Sequence, residues 1–308
     1  MSNMRDAIGL CIPYGKANSQ YQTEFEPATG TLWGYFNARG TPCFSLGLLK
    51  DIRRHDEAFT ANGGKLEVAG EVHAANYYVC GSRTPGVFNL GGDLALFVLL
   101  IKARDRDALA HYARLCIDNM HARIVNYNVP NVVTISLVQG DALGGGFECA
   151  MSSDVVIAEE NAQLGLPEVL FNLFPGMGAY SLLSRRIGMR AAEELILSGR
   201  VLSAAQLLEM GIVDAVAPQG QGQSTVREWI AKNWKRRNGT QAVMRARQLV
   251  NPITREELDA VADVWVDAAL RLEDKDLKMM GRIVRSQMRR MESGEPIDVT
   301  AEAVAAAV

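Results

Sequence analysis

Short runs rich in β-branched and aromatic residues alternate with amphipathic stretches over the first two-thirds of the chain. These runs predict strands at 31–40, 77–82, 131–138 and 154–159. Between them, a polar helix is predicted at 46–62, and apolar residues at the spacing of a helix predict another at 105–125. A further, short helix is predicted to begin in the three glycines at 144–146.

From residue 178 onward the pattern is mainly helical. Helices are predicted at 178–187, 190–198, 203–210, 224–236 and 240–250, with one strand near 211–216. Thr254 is positioned to cap another helix while Glu257 reaches back to its backbone, which is a capping box. One apolar stripe then runs from Leu258 to Leu272, and a similar stripe passes through Met280 on a further helix.

This order of elements predicts an α/β core with a helical appendage. We expect the core at 31–220 and a helical region at 221–308 that covers a pocket and forms oligomer contacts. Residues 1–30 show weak periodicity and are expected to form a loosely held N-terminal segment, and the Ala/Val-rich tail at 301–308 is expected to fray.

Composition and charge exclude several classes of protein. The net charge of −3 argues against a nucleic-acid binder, which would show a basic excess. The longest membrane-like run, 94–101, is too short to span a bilayer, and the N-terminus lacks the pattern of a signal peptide. The five cysteines form no CxxC pair and show no metal-ligand spacing with the histidines, so we expect a reduced, cytoplasmic protein without a metal or cofactor.

The stretch "DALGGGFECAM" places a candidate reactive carboxylate directly after a glycine-rich turn. Gly144, Gly145 and Gly146 let the backbone approach a ligand closely, and the first N–H groups of the helix have no intrahelical partner. Such N–H groups suit a developing oxyanion, although a tight turn without a ligand explains the glycines equally well. Glu148 follows among apolar residues; it lies either on a solvent face or in the interior, where burial would raise its pKa toward neutrality.

Two further features fit the same chemistry. Glu168 follows Pro167, which is positioned to open a helix, so this glutamate is either a first-turn residue favoured by the helix dipole or the partner of Glu148 in one cleft. In "FNLGGDLALF", Gly92 precedes a helix with Asp93 near its start. Its N–H is a candidate second oxyanion donor, and the alternative is a plain helix start capped by Asp93.

The block "GGDLALF", "VQGDALGGGFECAMSSDVVIAEENAQLGLPEVLFNLFPGMGAYSLLSRRIG" and "LSGRVLSAAQLLEMGIVDAVAP" resembles the crotonase (enoyl-CoA hydratase/isomerase) superfamily over residues 86–218. The resemblance implies a spiral of ββα units with a C-terminal all-helical trimerisation region. It also implies that Gly92 and Gly145 form the oxyanion hole and that Glu148 and Glu168 are the catalytic acids.

Details such as "GLPEVLFNLFPGMGAYS" and "WVDAALRL" resemble the bacterial diffusible signal factor synthases. That likeness implies dehydration of a 3-hydroxyacyl chain on acyl carrier protein to the cis-2-enoyl thioester, then hydrolysis to a free unsaturated fatty acid used as a quorum-sensing signal. It also implies a homotrimer or dimer of trimers, and a membrane sensor kinase as a further partner. The alternatives are a hydratase or isomerase of coenzyme A thioesters and a non-catalytic binding partner of the kinase.

A long acyl chain requires an apolar tunnel. The candidates for its wall are Leu143, Phe171, Met177, Trp265 and Ile283, each of which is also explained by ordinary core packing. An acidic carrier protein would dock on basic residues, for which Arg185, Arg186 and the cluster from Arg285 to Arg290 are the candidates.

Overall fold

The computed structural model describes residues 19–293, with side chains for residues 19–288. This part of the chain contains twelve strands. They are β1 (Tyr21–Glu26), β2 (Thr31–Phe36), β3 (Lys65–Val68), β4 (Glu71–Ala74), β5 (Tyr77–Ser82), β6 (Val87–Asn89), β7 (Val133–Val138), β8 (Asp141–Leu143), β9 (Val155–Glu159), β10 (Gln163–Gly165), β11 (Val201–Ser203) and β12 (Ala215–Ala217).

The same residues form eleven α-helices and three short 3₁₀ helices. The α-helices are α1 (Leu46–Ala61), α2 (Leu94–Ala103), α3 (Arg106–Ile124), α4 (Gly145–Met151), α5 (Ala179–Ile187), α6 (Met189–Ser198), α7 (Ala204–Glu209), α8 (Gly222–Asn233), α9 (Arg237–Val250), α10 (Arg255–Ala269) and α11 (Asp274–Ser293). The 3₁₀ helices are Asn126–Asn128, Pro167–Phe171 and Trp234–Arg236.

A six-stranded sheet in the order β1-β2-β5-β7-β9-β12 forms the centre of the fold. β1 pairs antiparallel with β2, and every other neighbouring pair is parallel. Every residue of β2, β5, β7 and β9 is buried, because both faces of the sheet are covered. Along β5, Tyr78 and Cys80 face the larger core, while Tyr77 and Val79 face a smaller core that includes residues of α8.

A second sheet, in the order β11-β10-β8-β6, consists of strands of three residues each. β6, β8 and β10 run parallel, and β11 closes the edge in the antiparallel sense. The carboxyl ends of parallel strands meet at one edge of a sheet. The turns that follow β6, β8 and β10 therefore lie side by side although they are far apart in sequence.

The predicted α/β core with a helical C-terminal region is confirmed. The prediction of a loosely held N-terminal segment is wrong for residues 21–26. These residues form β1, in which Tyr21 and Phe25 point inward and are buried. Residues 1–18 and the tail at 301–308 lie outside the described residues. Across residues 19–293, no helix is both long and apolar enough to cross a membrane.

The predicted cap of α10 is confirmed only in part. The Thr254 hydroxyl accepts a hydrogen bond from the Glu257 N–H at 3.1 Å. The carboxylate of Glu257 turns instead to Arg185, at 2.7 Å, so the predicted capping box is wrong in its second half. A complete capping box occurs at α7, between Ser203 and Gln206, where the sequence analysis predicted none.

Candidate active site

The turns after β6 and β8 are in direct contact. Gly91, with a φ of +87°, packs so tightly that a Cβ atom there would lie 2.6 Å from the carbonyl oxygen of Leu143 and 2.9 Å from the nitrogen of Gly145. Both distances are shorter than real Cβ contacts, so a side chain at position 91 would separate the two turns. Glycine at this position is what brings the two candidate oxyanion donors together.

The N–H groups of Gly92 and Gly145 have no hydrogen-bond acceptor within residues 19–293. Both glycines line one cavity, together with Glu148 and Glu168. The turn at Gly92 is held in place by Tyr112, whose phenol oxygen accepts from the Asp93 N–H at 3.2 Å and donates to the Phe44 carbonyl at 2.7 Å. The four residues predicted as the reactive set therefore share one cavity.

Glu148 lies in α4 and is 1% exposed. Its Oε1 atom accepts hydrogen bonds from the backbone N–H groups of Met177 and Ala179, both at 2.9 Å. Burial raises the pKa of Glu148 to about 7, and the two hydrogen bonds oppose that rise because they favour the carboxylate. Glu148 is therefore a buried group poised to gain or lose a proton near neutral pH.

Glu168 lies in the 3₁₀ helix Pro167–Phe171, whose first position is proline, as predicted. Its Oε2 atom is enclosed and has no hydrogen-bond partner within residues 19–293. Burial, and then the negative charge of Glu148, raise the pKa of Glu168 to about 8. A hydrogen bond from the backbone opposes that rise, and Glu168 takes up a proton at a somewhat higher pH than Glu148.

All five predicted wall residues line the same cavity: Leu143, Phe171, Met177, Trp265 and Ile283. Each is at most 7% exposed, so these side chains belong to the core and also form the cavity wall. Trp265 comes from the helical region and packs edge-on against Phe97 of α2, with ring centroids 5.1 Å apart. Two residues of the helical region, Trp265 and Ile283, therefore form part of the wall of the cavity that Glu148 also lines.

The sequence did not predict two backbone contacts of the candidate site. The backbone N–H groups of Met177 and Ala179 bind Glu148, whereas Met177 was considered only for its apolar side chain. Glycines on either side of Met177, at 176 and 178, are the signal that could have indicated a backbone role. Within residues 19–293, no group of three or more His, Cys, Asp or Glu side chains is arranged to hold a metal ion.

Two arginines of α5, Arg185 and Arg186, were candidates for docking an acyl carrier protein, but both make contacts within the fold. Arg185 pairs with Glu257 and also donates to the Pro252 carbonyl at 2.8 Å. Arg186 donates to the carbonyls of Met151 and Ser153 at 2.9 and 2.8 Å, and its guanidinium is largely buried. These contacts leave both guanidinium groups tied to the fold. Of the other candidates, Arg289 and Arg290 lie beyond the residues whose side chains are described.

Residues 78–284 match the family model described as enoyl-CoA hydratase/isomerase. The "Probable enoyl-CoA hydratase echA8" of Mycobacterium bovis is 47% identical over 85 residues, which are 28% of this chain and 33% of that relative. The match thus spans about a third of the relative's length.

Solved structures show the same fold over most of the chain. An enoyl-CoA hydratase from Bacillus halodurans aligns with a TM-score of 0.69 and 18% identity, covering 86% of this chain and all of that one. A human mitochondrial delta3-delta2-enoyl-CoA isomerase aligns with a TM-score of 0.67 and 22% identity, covering 90% of this chain and all of that one. These similarities confirm the predicted crotonase fold.

Proposed function

Because the chain belongs to the enoyl-CoA hydratase/isomerase family, we propose that it adds water reversibly across the 2,3 double bond of an acyl thioester. Coenzyme A is the proposed carrier. The observation that supports this reaction is the pair Glu148 and Glu168, whose pKa values are raised to about 7 and about 8 on the wall of one cavity. An acid and a base are both needed for hydration, and these values suit both roles near neutral pH.

The proposed hydration step begins with the thioester oxygen accepting hydrogen bonds from the N–H groups of Gly92 and Gly145. The carboxylate of Glu148 takes a proton from water, and the water oxygen forms a bond to the β-carbon. The electron pair of the double bond moves toward the thioester, whose oxygen becomes the enolate oxyanion. Glu168 then delivers its proton to the α-carbon, so the product is the 3-hydroxyacyl thioester.

The assignment of base and acid follows from the hydrogen bonds. Two backbone N–H groups stabilise the carboxylate of Glu148, while Glu168 has an unpartnered oxygen and faces the charge of Glu148. The proposed reactive form therefore has Glu148 charged and Glu168 protonated, which is the form that hydration requires. Dehydration starts from the opposite protonation state and runs through the same enolate.

The oxyanion donors contribute the largest single effect in this proposal. One such donor typically lowers the barrier by about 3 kcal/mol, because it is already oriented before charge develops. The N–H groups of Gly92 and Gly145 fit this role because no other described group occupies them. The apolar wall around Trp265 would then hold the acyl chain.

The test uses crotonyl-CoA and follows the loss of its conjugated double bond. We expect Glu148→Gln and Glu168→Gln each to lower kcat/KM by about 10²- to 10⁴-fold, because each removes one partner in proton transfer. Glu159→Gln is a matched control: Glu159 is also buried and binds two backbone N–H groups, of Gly220 and Gly222, but does not line the cavity. Full turnover by both active-site variants, with folding shown by circular dichroism, would contradict the proposal.

A second candidate is dehydration of a carrier-protein thioester followed by its hydrolysis to a free cis-2-unsaturated acid. It is favoured by the unpartnered oxygen of Glu168, which lines the same cavity as the oxyanion donors, since the carboxylate form of Glu168 could activate water to attack the same carbonyl. Incubation with a 3-hydroxyacyl carrier protein, with mass spectrometry for free acid, separates the two candidates. A purely non-catalytic partner of a sensor kinase would turn over neither thioester.

We also propose that the chain assembles as a trimer or a dimer of trimers through its helical region. Helix α9 supports this proposal because it has no buried residue. Its apolar side chains Val243, Leu249 and Val250 are 66%, 70% and 85% exposed. Light scattering after size exclusion measures the mass, and a Val243→Glu change should shift it toward that of a monomer.

A further inference from the structure

The cavity extends away from the glutamates along one face of helix α3. Tyr112, Cys116, Asn119 and Arg123 all line it, at the three- and four-residue intervals that place side chains on one face of a helix. Tyr112 holds the turn at Gly92, and Arg123 lies 11 residues further along α3. At 1.5 Å per residue, this is about 16 Å along the helix axis.

This deep part of the wall is polar, unlike the part around Trp265. It contains a group of buried side chains, which we call the distal polar cluster: Tyr21, His55, Asp56, Tyr78, Arg123 and Tyr127. The Tyr78 hydroxyl is 2.8 Å from the Tyr21 hydroxyl, 3.0 Å from Nδ1 of His55 and 3.3 Å from Oδ1 of Asp56. All six side chains are at most 5% exposed, and four of them line the cavity (Tyr21, Asp56, Arg123 and Tyr127).

Arg123 fixes the geometry of this cluster. Its guanidinium donates to the Ser153 hydroxyl at 2.8 Å, the Tyr127 hydroxyl at 3.1 Å and the Ile135 carbonyl at 2.9 Å. Tyr127 is the centre of three consecutive non-glycine residues with left-handed backbone, with φ values from +50° to +57° at 126–128. Asparagine tolerates this conformation, but it is costly for Tyr127, and such strain is often retained where function requires it.

The cavity wall beside the cluster also has an unfilled hydrogen-bond acceptor. Asn119 donates through its amide nitrogen to the Leu49 carbonyl at 3.0 Å, but its buried Oδ1 atom has no partner within residues 19–293. An acyl chain ending in a methyl group would leave this oxygen without a partner after water is displaced. A group that donates would satisfy it, and a group that also accepts could bond to the polar cluster beside it.

We infer that the deep end of the cavity binds a hydroxyl group near the far end of the acyl chain, in addition to the hydroxyl formed at the β-carbon. A hydroxyl can donate to Asn119 and accept from Tyr127 or Arg123, which a carboxylate cannot do. The cluster contains both a cation, Arg123, and an acid, Asp56, so it does not select for an anion. This inference rests on the proposed function, because it specifies the substrate of the same site.

The test compares pairs of trans-2-enoyl-CoA thioesters of equal chain length, with and without a terminal hydroxyl, over a series of lengths. Sites built to hydrogen-bond a hydroxyl discriminate strongly against the analogue that lacks it. We expect at least a tenfold higher kcat/KM for the hydroxylated member at the length that reaches the cluster. Equal or faster turnover of the unsubstituted member at every length would overturn the inference and leave the hydratase proposal standing.

Variants test the residues directly. Tyr127→Phe and Asn119→Leu should each reduce the preference for the hydroxylated member at least fivefold. Tyr77→Phe is the matched control, because Tyr77 lies on the face of β5 opposite to Tyr78 and packs in the smaller core. This variant also removes a buried hydroxyl and should keep the preference for the hydroxylated member. An unchanged preference in both folded cluster variants would overturn the inference.

A binding measurement separates this inference from the proposed chemistry. Calorimetric titration of the inactive Glu148→Gln protein with both members of the best pair measures affinity without turnover. Tighter binding of the hydroxylated member supports the inference even if the wild-type protein hydrates no thioester. The absence of hydration would contradict only the proposed function. Equal affinities overturn the inference.

Discussion

Glu168 occupies the space that a side chain at Gly144 would need. A Cβ atom at Gly144 would lie 2.3 Å from Oε1 and 3.3 Å from Cδ of Glu168. Gly144 also has a φ of +52° with a ψ of −122°, a backbone conformation that other residues rarely adopt. The absence of a side chain at Gly144 thus leaves room for the carboxyl group of Glu168, while the Gly144 N–H donates to the Gly165 carbonyl at 2.8 Å.

Gly144→Ala should therefore lower activity by displacing the carboxyl group of Glu168. We expect kcat/KM for crotonyl-CoA to fall about 100-fold or more, since small misplacements of catalytic groups have effects of this size. Gly239→Ala, in α9, is the matched control because a Cβ atom there meets nothing within 4 Å. Activity in Gly144→Ala close to that of the control would show that Glu168 tolerates the displacement.

The rate of hydration should have a bell-shaped dependence on pH. The reactive form needs Glu148 charged and Glu168 protonated, and the pKa values of these groups are raised to about 7 and about 8. We expect kcat/KM to rise toward pH 7 and to fall above pH 8, with both limbs belonging to the interacting pair. Stopped-flow rates across this range would show the profile, and Glu168→Gln should lose the alkaline limb. A flat profile would be inconsistent with the assigned roles.

Glu148 should make the fold less stable as the pH rises. Its pKa is about 4.5 in the unfolded chain and about 7 in the fold, so the folded state binds more protons between these values. Stability associated with this group is therefore lost as the pH rises from about 4.5 through 7. Since one pKa unit corresponds to about 1.4 kcal/mol, Glu148→Gln should gain up to about 3 kcal/mol over wild type between pH 5 and pH 8.

Urea unfolding at the two pH values measures this difference. Glu194→Gln makes the same chemical change on the exposed face of α6, where the side chain is 68% exposed, and is the matched control. If Glu148→Gln gains no more stability at pH 8 than the control, then burial of Glu148 does not destabilise its carboxylate.

The main strands and the turn that carries Glu148 could be predicted because their signals are local. β-branched runs mark β7 and β9, and the glycines before Glu148 mark a turn between a strand and a helix. The strands of the small sheet escaped prediction because three residues are too few to show alternation. Their pairing depends on contacts between distant parts of the chain.

The polar lining of the deep cavity could not be predicted for a related reason. Tyr112, Cys116 and Met120 follow the spacing of a core-facing helix, and the same stripe lines both the core and the cavity. The pattern of apolar positions identifies the inward face of α3 but not an empty space beside it. Arg123 is buried on that face because Ser153, Tyr127 and a β7 carbonyl happen to converge there, which only the tertiary structure reveals.

The loop at 176–178 links the cavity wall at Trp265 to the pKa of Glu148. Its Met177 N–H stabilises the charge of Glu148, while Gly176 packs so closely on Trp265 that a Cβ atom would lie 2.4 Å from the tryptophan side chain. In the proposed reaction, an acyl chain that pushes Trp265 aside would therefore also move the donor on which the proton affinity of Glu148 depends. The choice of acyl chain would then affect how readily water is deprotonated as well as which chains fit.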